Sequence, residues 1–380
     1  MILKNGLVMD ESFTLRPCDV QFEDGVITRM DEHIDGGDAI DVSGCYVLPG
    51  FIDSHMHGAV GSKISDQNPA PDLSAITRYE ATQGVTSIAI STVCSDYEHL
   101  LRQIDAAVEA AQTPAGAKIA AIHAEGPFIS PAKKGAMDER FILSPSLAQL
   151  DEMIGHGQGL LRLITLAPEV EGCLALIFHA VERGLTVSMG HTNATYEQAQ
   201  AAIQAGATQT THTFNAMRAL NHREPGILGA ALTNPAVRCE IICDHTHLHP
   251  AVIQIIYRLK GADGLNIVSD SEHGAGLTAS EIHMDGEVRY IHDGVMWLEN
   301  GTIAGSASSM LFGVQNLLAD GIPLEDVSKM ASLNPAKTLK IDHLTGSIAV
   351  GKAADIAVLD GLYNVRRTYV NGACVYEKGE

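Results

Sequence analysis

The sequence is poor in aromatic residues and in positive charge. Phe, Trp and Tyr make up 5% of its 380 residues, with a single tryptophan, while 46% are hydrophobic, so the interior must be built mainly from Ala, Val, Ile and Leu. Twenty-five Lys and Arg against 46 Asp and Glu leave a formal charge of −21. With no concentrated basic patch, that field repels phosphate polymers and anionic bilayers, which excludes a nucleic-acid or membrane-surface partner. No apolar run approaches the roughly 20 residues needed to cross a bilayer, and Met1-Ile2-Leu3-Lys4-Asn5-Gly6 lacks a basic-then-apolar leader, so a cytoplasmic protein is expected. The seven cysteines are scattered and contain no CxxC pair, which argues against a disulfide framework or a thiolate zinc knuckle. Cys239 and Cys243, in the run Val237 to Cys243, read as small buried hydrophobes.

What is abundant is glycine, with 36 residues, and histidine, with 17. Between residues 47 and 272, eight apolar runs end in polar residues: Val47–His57, Val85–Val93, Lys118–Phe128, Leu161–Pro168, Leu185–His191, Thr208–Phe214, Arg238–Asp244 and Leu265–Asp270. Between them, Pro71–Gln83, Tyr97–Ala111, Ser146–Gly155, Gly172–Arg183, Tyr196–Ala205 and Pro250–Leu259 have helical periodicity with turn or capping residues at their edges. Eight strand–helix repeats predict an α/β protein built on a parallel (β/α)8 TIM barrel. The flanks are different. Residues 1–46 and 345–380 show short alternating segments cut by Asp24-Gly25, Gly36-Gly37 and Asn371-Gly372, which suit hairpins. Neither flank can bury a sheet face alone, so the two ends are expected to pair into a small β-sandwich domain beside a catalytic barrel of residues 47–344.

Barrel enzymes place their chemistry at the C-terminal ends of the strands. Read there, the runs offer His55 and His57, on one side of a strand by their i, i+2 spacing, then Glu125, His191, His212 and Asp270. One buried histidine is usually a hydrogen-bonded core residue. Four histidines, a Glu and an Asp converging at one end of a barrel read instead as a site for Zn, Fe or a similar divalent transition metal, open to water and without thiolates. His123 lies on the same face as Glu125 one layer deeper and reads as an interior hydrogen-bonding group. His33, His99, His156, His179, His283, His292 and His343 lie away from strand ends and read as surface or packing residues.

Leu48-Pro49-Gly50-Phe51-Ile52-Asp53-Ser54-His55-Met56-His57-Gly58 resembles the opening of amidohydrolase-superfamily barrels. His123-Ala124-Glu125-Gly126-Pro127-Phe128, Met189-Gly190-His191-Thr192, Thr211-His212-Thr213-Phe214-Asn215-Ala216-Met217 and His222-Arg223-Glu224-Pro225-Gly226 resemble the N-acetylglucosamine-6-phosphate deacetylase family in particular. So do Ala304-Gly305-Ser306 and the segment from Gly346 to Asp355. The resemblance implies that Glu125, His191 and His212 hold one metal, that His55 and His57 hold a second with Glu125 bridging, and that Asp270 is the catalytic carboxylate. It further implies that the sugar phosphate meets His247, the Asn215 side chain and the Ala216 N–H, and that Arg223 reaches over from the neighbouring subunit of a homodimer.

The chemistry agrees. An amide is a poor electrophile with a poor leaving group, so its hydrolysis needs an activated water, a polarised carbonyl and a proton for the amine. Metal coordination lowers the pKa of water from about 16 to about 7, and a carboxylate beside that water serves first as general base and then as general acid. Met137 departs from a polar residue, often His, found in relatives, and Glu272 and His273 add charge just past Asp270. These departures lie where sugar hydroxyls would be read, and the galactosamine epimer is the alternative substrate. A cyclic-amide hydrolase on the same barrel would need a strand-4 lysine, which Leu161–Pro168 lacks. A sugar-phosphate sensor would be expected to lack Asp270 or a ligand, and none is missing.

Overall fold

The computed structural model describes residues 1–64, 69–113, 115–284 and 287–379. Eight parallel strands follow one another in sequence order: β1 (Phe51–Met56), β2 (Val85–Thr92), β3 (Lys118–Glu125), β4 (Leu161–Leu166), β5 (Thr186–Met189), β6 (Gln209–Thr210), β7 (Arg238–Ile242) and β8 (Leu265–Val268). The sheet closes between its first and last members. The Asp270 N–H donates to the His55 carbonyl at 3.0 Å, and the His57 N–H to the Ser271 carbonyl at 2.7 Å. The expected barrel is therefore present, and its closing seam runs through residues of the expected site.

Each barrel strand is followed by a helix: α1 (Pro69–Thr82), α2 (Tyr97–Ala111), α3 (Leu147–Gly157), α4 (Cys173–Glu182), α5 (Tyr196–Gln204), α6 (Gly226–Thr233), α7 (Pro250–Lys260) and α8 (Met310–Ala319). The six helices read from periodicity form, with the caps their sequences offer. Asp96 accepts from the N–H groups of Glu98 and His99 at the start of α2, and Thr195 with Gln198 makes a reciprocal capping box on α5. Helix α6 gives no amphipathic signal because Gly226 to Leu232 are all buried and apolar.

Two strand readings need correction. The run Val47–His57 is divided at Gly50, where a Cβ would lie 2.1 Å from Thr86 Cγ2. Its first part, Tyr46–Pro49, belongs to the terminal sheet and pairs antiparallel with Ile356–Leu359; only the second part is β1. In the run Thr208–Phe214 the ladder is confined to Gln209–Thr210, because the backbone turns away at His212 and Phe214, where φ is 29° and 83°.

Strands from both ends of the chain form one sheet, in the order Ala373–Glu377, Val365–Val370, Ile356–Leu359, Tyr46–Pro49, Ile2–Met9, Leu15–Glu23, Val26–Asp31, with Ala39–Asp41 also on Ile2–Met9. Phe22 and Tyr369, one from each end, meet edge to face with ring centroids 5.5 Å apart. A four-stranded meander absent from the sequence reading follows β8: Glu281–Met284, Glu287–His292, Val295–Leu298 and Ile303–Ser306. It is tied to the end of β8 by the Ser306 N–H on the Asp270 carbonyl and the Glu272 N–H on the Ser306 carbonyl, both 2.9 Å. One end of the barrel is sealed by Ile52, Ala89, Ala121 and Leu163 packed against Ala336, Leu339 and Ile341. Each buried aliphatic side chain there contributes about 1.5–3 kcal/mol, and the polar strand ends are left to the opposite mouth.

Candidate metal centre

The polar residues at that mouth are set by one repeated local device. His191, His212 and Asp270 each lie two residues beyond the end of their strand and each has positive φ, at 45°, 29° and 49°. Left-handed backbone costs a side-chain-bearing residue on the order of 1–3 kcal/mol, and here it turns three strand-end side chains toward one point. His55 and Glu125 reach the same point from within β1 and β3.

Glu125 is the hub. Its Oε1 lies 3.0 Å from His212 Nε2 and 3.3 Å from both His191 Nε2 and His55 Nε2, and its Oε2 lies 3.1 Å from His57 Nε2. Two triads result, His55–His57–Glu125 and Glu125–His191–His212, each with its donor atoms within 4.8 Å of one another. Asp270 Oδ1 stands 3.3 Å from His55 Nε2 and 3.5 Å from His57 Nε2. Every one of these side chains is buried.

Hydrogen bonding outside the cluster fixes the ligand atoms. His57 Nδ1 donates to the Ser91 carbonyl at 3.0 Å and His191 Nδ1 to the Lys133 carbonyl at 2.8 Å, while His55 Nδ1 donates to Glu240 Oε1 at 2.7 Å. Carbonyls and carboxylates only accept, so these three rings carry hydrogen on Nδ1 and point Nε2 inward. His55 Nε2 and His57 Nε2 are 3.3 Å apart, a contact that needs positive charge between two lone pairs. The electrostatics make the same demand. Burial opposes charge on His57, but Asp270 and Glu125 outweigh it and push the ring up to about 10. Burial likewise opposes charge on Asp270, yet His55 and His57 hold it down at about 2. A divalent cation fits this donor set, competing with protons for the same atoms.

The centre opens into a cavity of about 690 Å³ lined by His57, Glu125, His191, His212 and Asp270, with His55 fully buried beneath. Asn215, Ala216 and His247 line the same cavity. His247 is oriented by Asp244, whose Oδ2 accepts from His247 Nδ1 at 2.6 Å and whose Oδ1 caps the Thr246 and His247 N–H groups at 2.9 and 2.8 Å. Arg223 is not brought to this cavity: it lies exposed on the loop before α6, and its neighbour Glu224 pairs with Arg218 at 3.6 Å. Met137 and Glu272 line the cavity. His273 instead lies buried behind Glu272, donating from Nδ1 to Glu272 Oε2 at 3.0 Å.

A profile of the amidohydrolase family matches residues 46–376. The chain belongs to the amidohydrolase family. This amidohydrolase is 32% identical over 364 residues to an N-acetylglucosamine-6-phosphate deacetylase of Lysinibacillus sphaericus, covering 95% of this chain and 94% of that protein. It is 33% identical over 329 residues to an N-acetylgalactosamine-6-phosphate deacetylase of Escherichia coli O157:H7, covering 86% of each. Among solved structures, a mutant N-acetyl-D-glucosamine-6-phosphate deacetylase of Mycobacterium smegmatis in complex with N-acetyl-D-glucosamine-6-phosphate superposes with a TM-score of 0.91 at 29% identity over 99% of each chain.

Sequence reasoning missed three groups at the site. The meander brings Arg289, Trp297 and the segment Gly301 to Gly305 to the cavity wall. The carbonyls that hold His57 and His191 have no side-chain signature at all. Glu240 did have one, as the only acidic residue between Val237 and Cys243.

Proposed function

We propose that this amidohydrolase hydrolyses the acetamido group of N-acetylglucosamine-6-phosphate to glucosamine-6-phosphate and acetate. The observation that carries this reading is the placement of Asp270 against His55 and His57 in a cavity that both metal-ligand triads line, with His247, Asn215 and Ala216 on the same wall. Glu125, His191 and His212 would hold one ion and His55, His57 and Glu125 a second, of Zn or Fe by the imidazole–carboxylate chemistry. When bound, the metal acts as a Lewis acid toward the amide carbonyl and makes a coordinated water more acidic.

Asp270 supplies the proton traffic. As a carboxylate it takes a proton from the attacking water while the water oxygen bonds to the acetyl carbon. It then gives that proton to the nitrogen as the C–N bond breaks, so the amine leaves neutral. His247, with Nδ1 donating to Asp244, faces the substrate phosphate through Nε2, which donates to it in the imidazolium form, beside the Asn215 amide and the Ala216 N–H. A second copy of the chain contributes Arg223, whose guanidinium suits a phosphate bidentately and offsets the protein's negative charge locally. All seven cysteines are free and dispersed, which suits a reducing cytoplasm. Among the described residues no helix is long and apolar enough to cross a membrane.

The galactosamine epimer remains a second reading because Met137 and Glu272, both on the cavity wall, differ from the pattern of relatives. One experiment decides between them: deacetylation of N-acetylglucosamine-6-phosphate, its galactosamine epimer and unphosphorylated N-acetylglucosamine, with metal analysis of the same sample. The expected order of kcat/KM is glucosamine phosphate, galactosamine phosphate, unphosphorylated sugar. Equal rates on the phosphorylated and unphosphorylated sugars would remove the phosphate site from the reading.

A further inference from the structure

The four imidazoles are not held alike. His57 and His191 rest on neutral backbone carbonyls, at Ser91 and Lys133, and His212 Nδ1 has no partner among the described residues. Of these four rings, among the described residues, only His55 has an anion on Nδ1, Glu240, with Oε1 at 2.7 Å and both side chains fully buried. The same oxygen accepts the His212 N–H at 2.9 Å. The other oxygen, Oε2, accepts from Gln209 Nε2 at 3.1 Å, and Gln209 Oε1 in turn accepts from Asn266 Nδ2 at 3.0 Å and Thr338 Oγ1 at 2.9 Å. Glu240 is thus locked from the barrel interior by donors only, and one of its oxygens spans a ligand of each triad.

We propose that Glu240 is the positioning residue that makes His55–His57–Glu125 a metal site, and so decides whether the chain holds one metal ion or two. A carboxylate on Nδ1–H fixes the tautomer, holds the ring plane and raises the basicity of Nε2, which a neutral carbonyl does less strongly. The backbone of His212 needs from Glu240 only an acceptor, whereas His55 receives its charge. Removing that charge while keeping the acceptor therefore separates the two triads. The inference rests on the two-triad reading of the centre.

The test is a Zn²⁺ titration of the full-length protein, stripped by chelation, followed by calorimetry and by metal analysis after desalting. Wild type is expected to bind two equivalents. Glu240→Gln keeps an oxygen for the His212 N–H, and should retain the first equivalent while the second weakens by about 10- to 100-fold. Its new amide nitrogen would face Gln209 Nε2, donor against donor. A second variant, Gln209→Glu with Glu240→Gln, gives that amide nitrogen an acceptor, keeps one for Asn266 and Thr338 and moves the charge away from His55, and it should show the same selective loss. The inference is overturned if the second equivalent binds both variants as tightly as wild type, or if both equivalents weaken alike, which marks Glu240 as general support. Wild type binding a single equivalent would instead sink the two-triad reading.

Discussion

Glu80, on the inner side of α1, is fully buried, and among the described residues neither of its carboxyl oxygens has a hydrogen-bond partner. Its neighbour Asp53 is also buried, with Oδ1 bridging the seam by accepting from the His55 N–H at 3.2 Å and the Ser269 N–H at 3.3 Å, and with Oδ2 unpartnered. Burial raises the pKa of Glu80 well above the ordinary glutamate value, and the Asp53 charge pushes it further in the same direction. The folded protein therefore keeps the Glu80 proton at pH values where the unfolded chain has lost it.

Glu80→Met, nearly the same volume without the polar atoms, removes two costs. The first is that of an unsatisfied buried polar group, about 1–3 kcal/mol, present at any pH. The second depends on pH. Above about 4.3, the unfolded value, the native state binds more protons than the unfolded one, so this carboxyl makes stability fall as pH rises, by about 1.4 kcal/mol per unit, until the raised folded pKa is passed. The advantage of the Met variant should thus grow as pH rises from 5, by up to about 1.4 kcal/mol per unit until that folded pKa is passed. Urea unfolding of wild type and variant at pH 5, 6 and 7 reads this directly, and Glu80→Gln, which cannot ionise, should lose the slope but keep the first cost. A Met variant less stable than wild type throughout, or an advantage flat in pH, would show that the carboxyl has a partner and refute the reasoning.

Two further outcomes test the site. Asp270→Asn cannot accept the proton of the attacking water, so kcat should fall by about 10²- to 10⁴-fold with metal content unchanged; near-normal turnover, or loss of metal in step with activity, would replace the acid–base role with a purely ligating one. Asp244→Asn keeps the turn to Thr246 but sets an amide against His247 Nδ1, so KM for the phosphorylated sugar should rise by about tenfold or more, as for a lost charge-assisted hydrogen bond. A fall in kcat without change in KM would place His247 outside phosphate binding.

The metal ligands were legible because a barrel strand is apolar until it ends, and a histidine or carboxylate at the end stands out from the run. That signal weakens with the strand: β6 contributes two residues to the ladder, and His212 lies in the polar stretch Thr211-His212-Thr213 rather than at the end of an apolar one. Glu240 sat inside an apolar run and could be seen as odd, but only the fold shows that β7 carries it to the ring of a residue in β1. The meander after β8 has a usable alternation in Glu287–His292, yet its strands are short and turn back on one another within one excursion from the barrel. Its importance comes from docking on β8, which no local pattern encodes. Arg223 was placed by resemblance alone, and the loop that bears it leaves it exposed in the single chain.

The terminal sheet imposes an order on synthesis. Tyr46–Pro49 finds Ile356–Leu359 only when residue 359 has left the ribosome, so the first strands made are among the last to be completed. All of the barrel emerges while Tyr46–Pro49 still lacks that neighbour, with an open edge available to other nascent chains. The net charge of −21 sets copies of the chain repelling one another while that edge is open, before the last strands close the sheet.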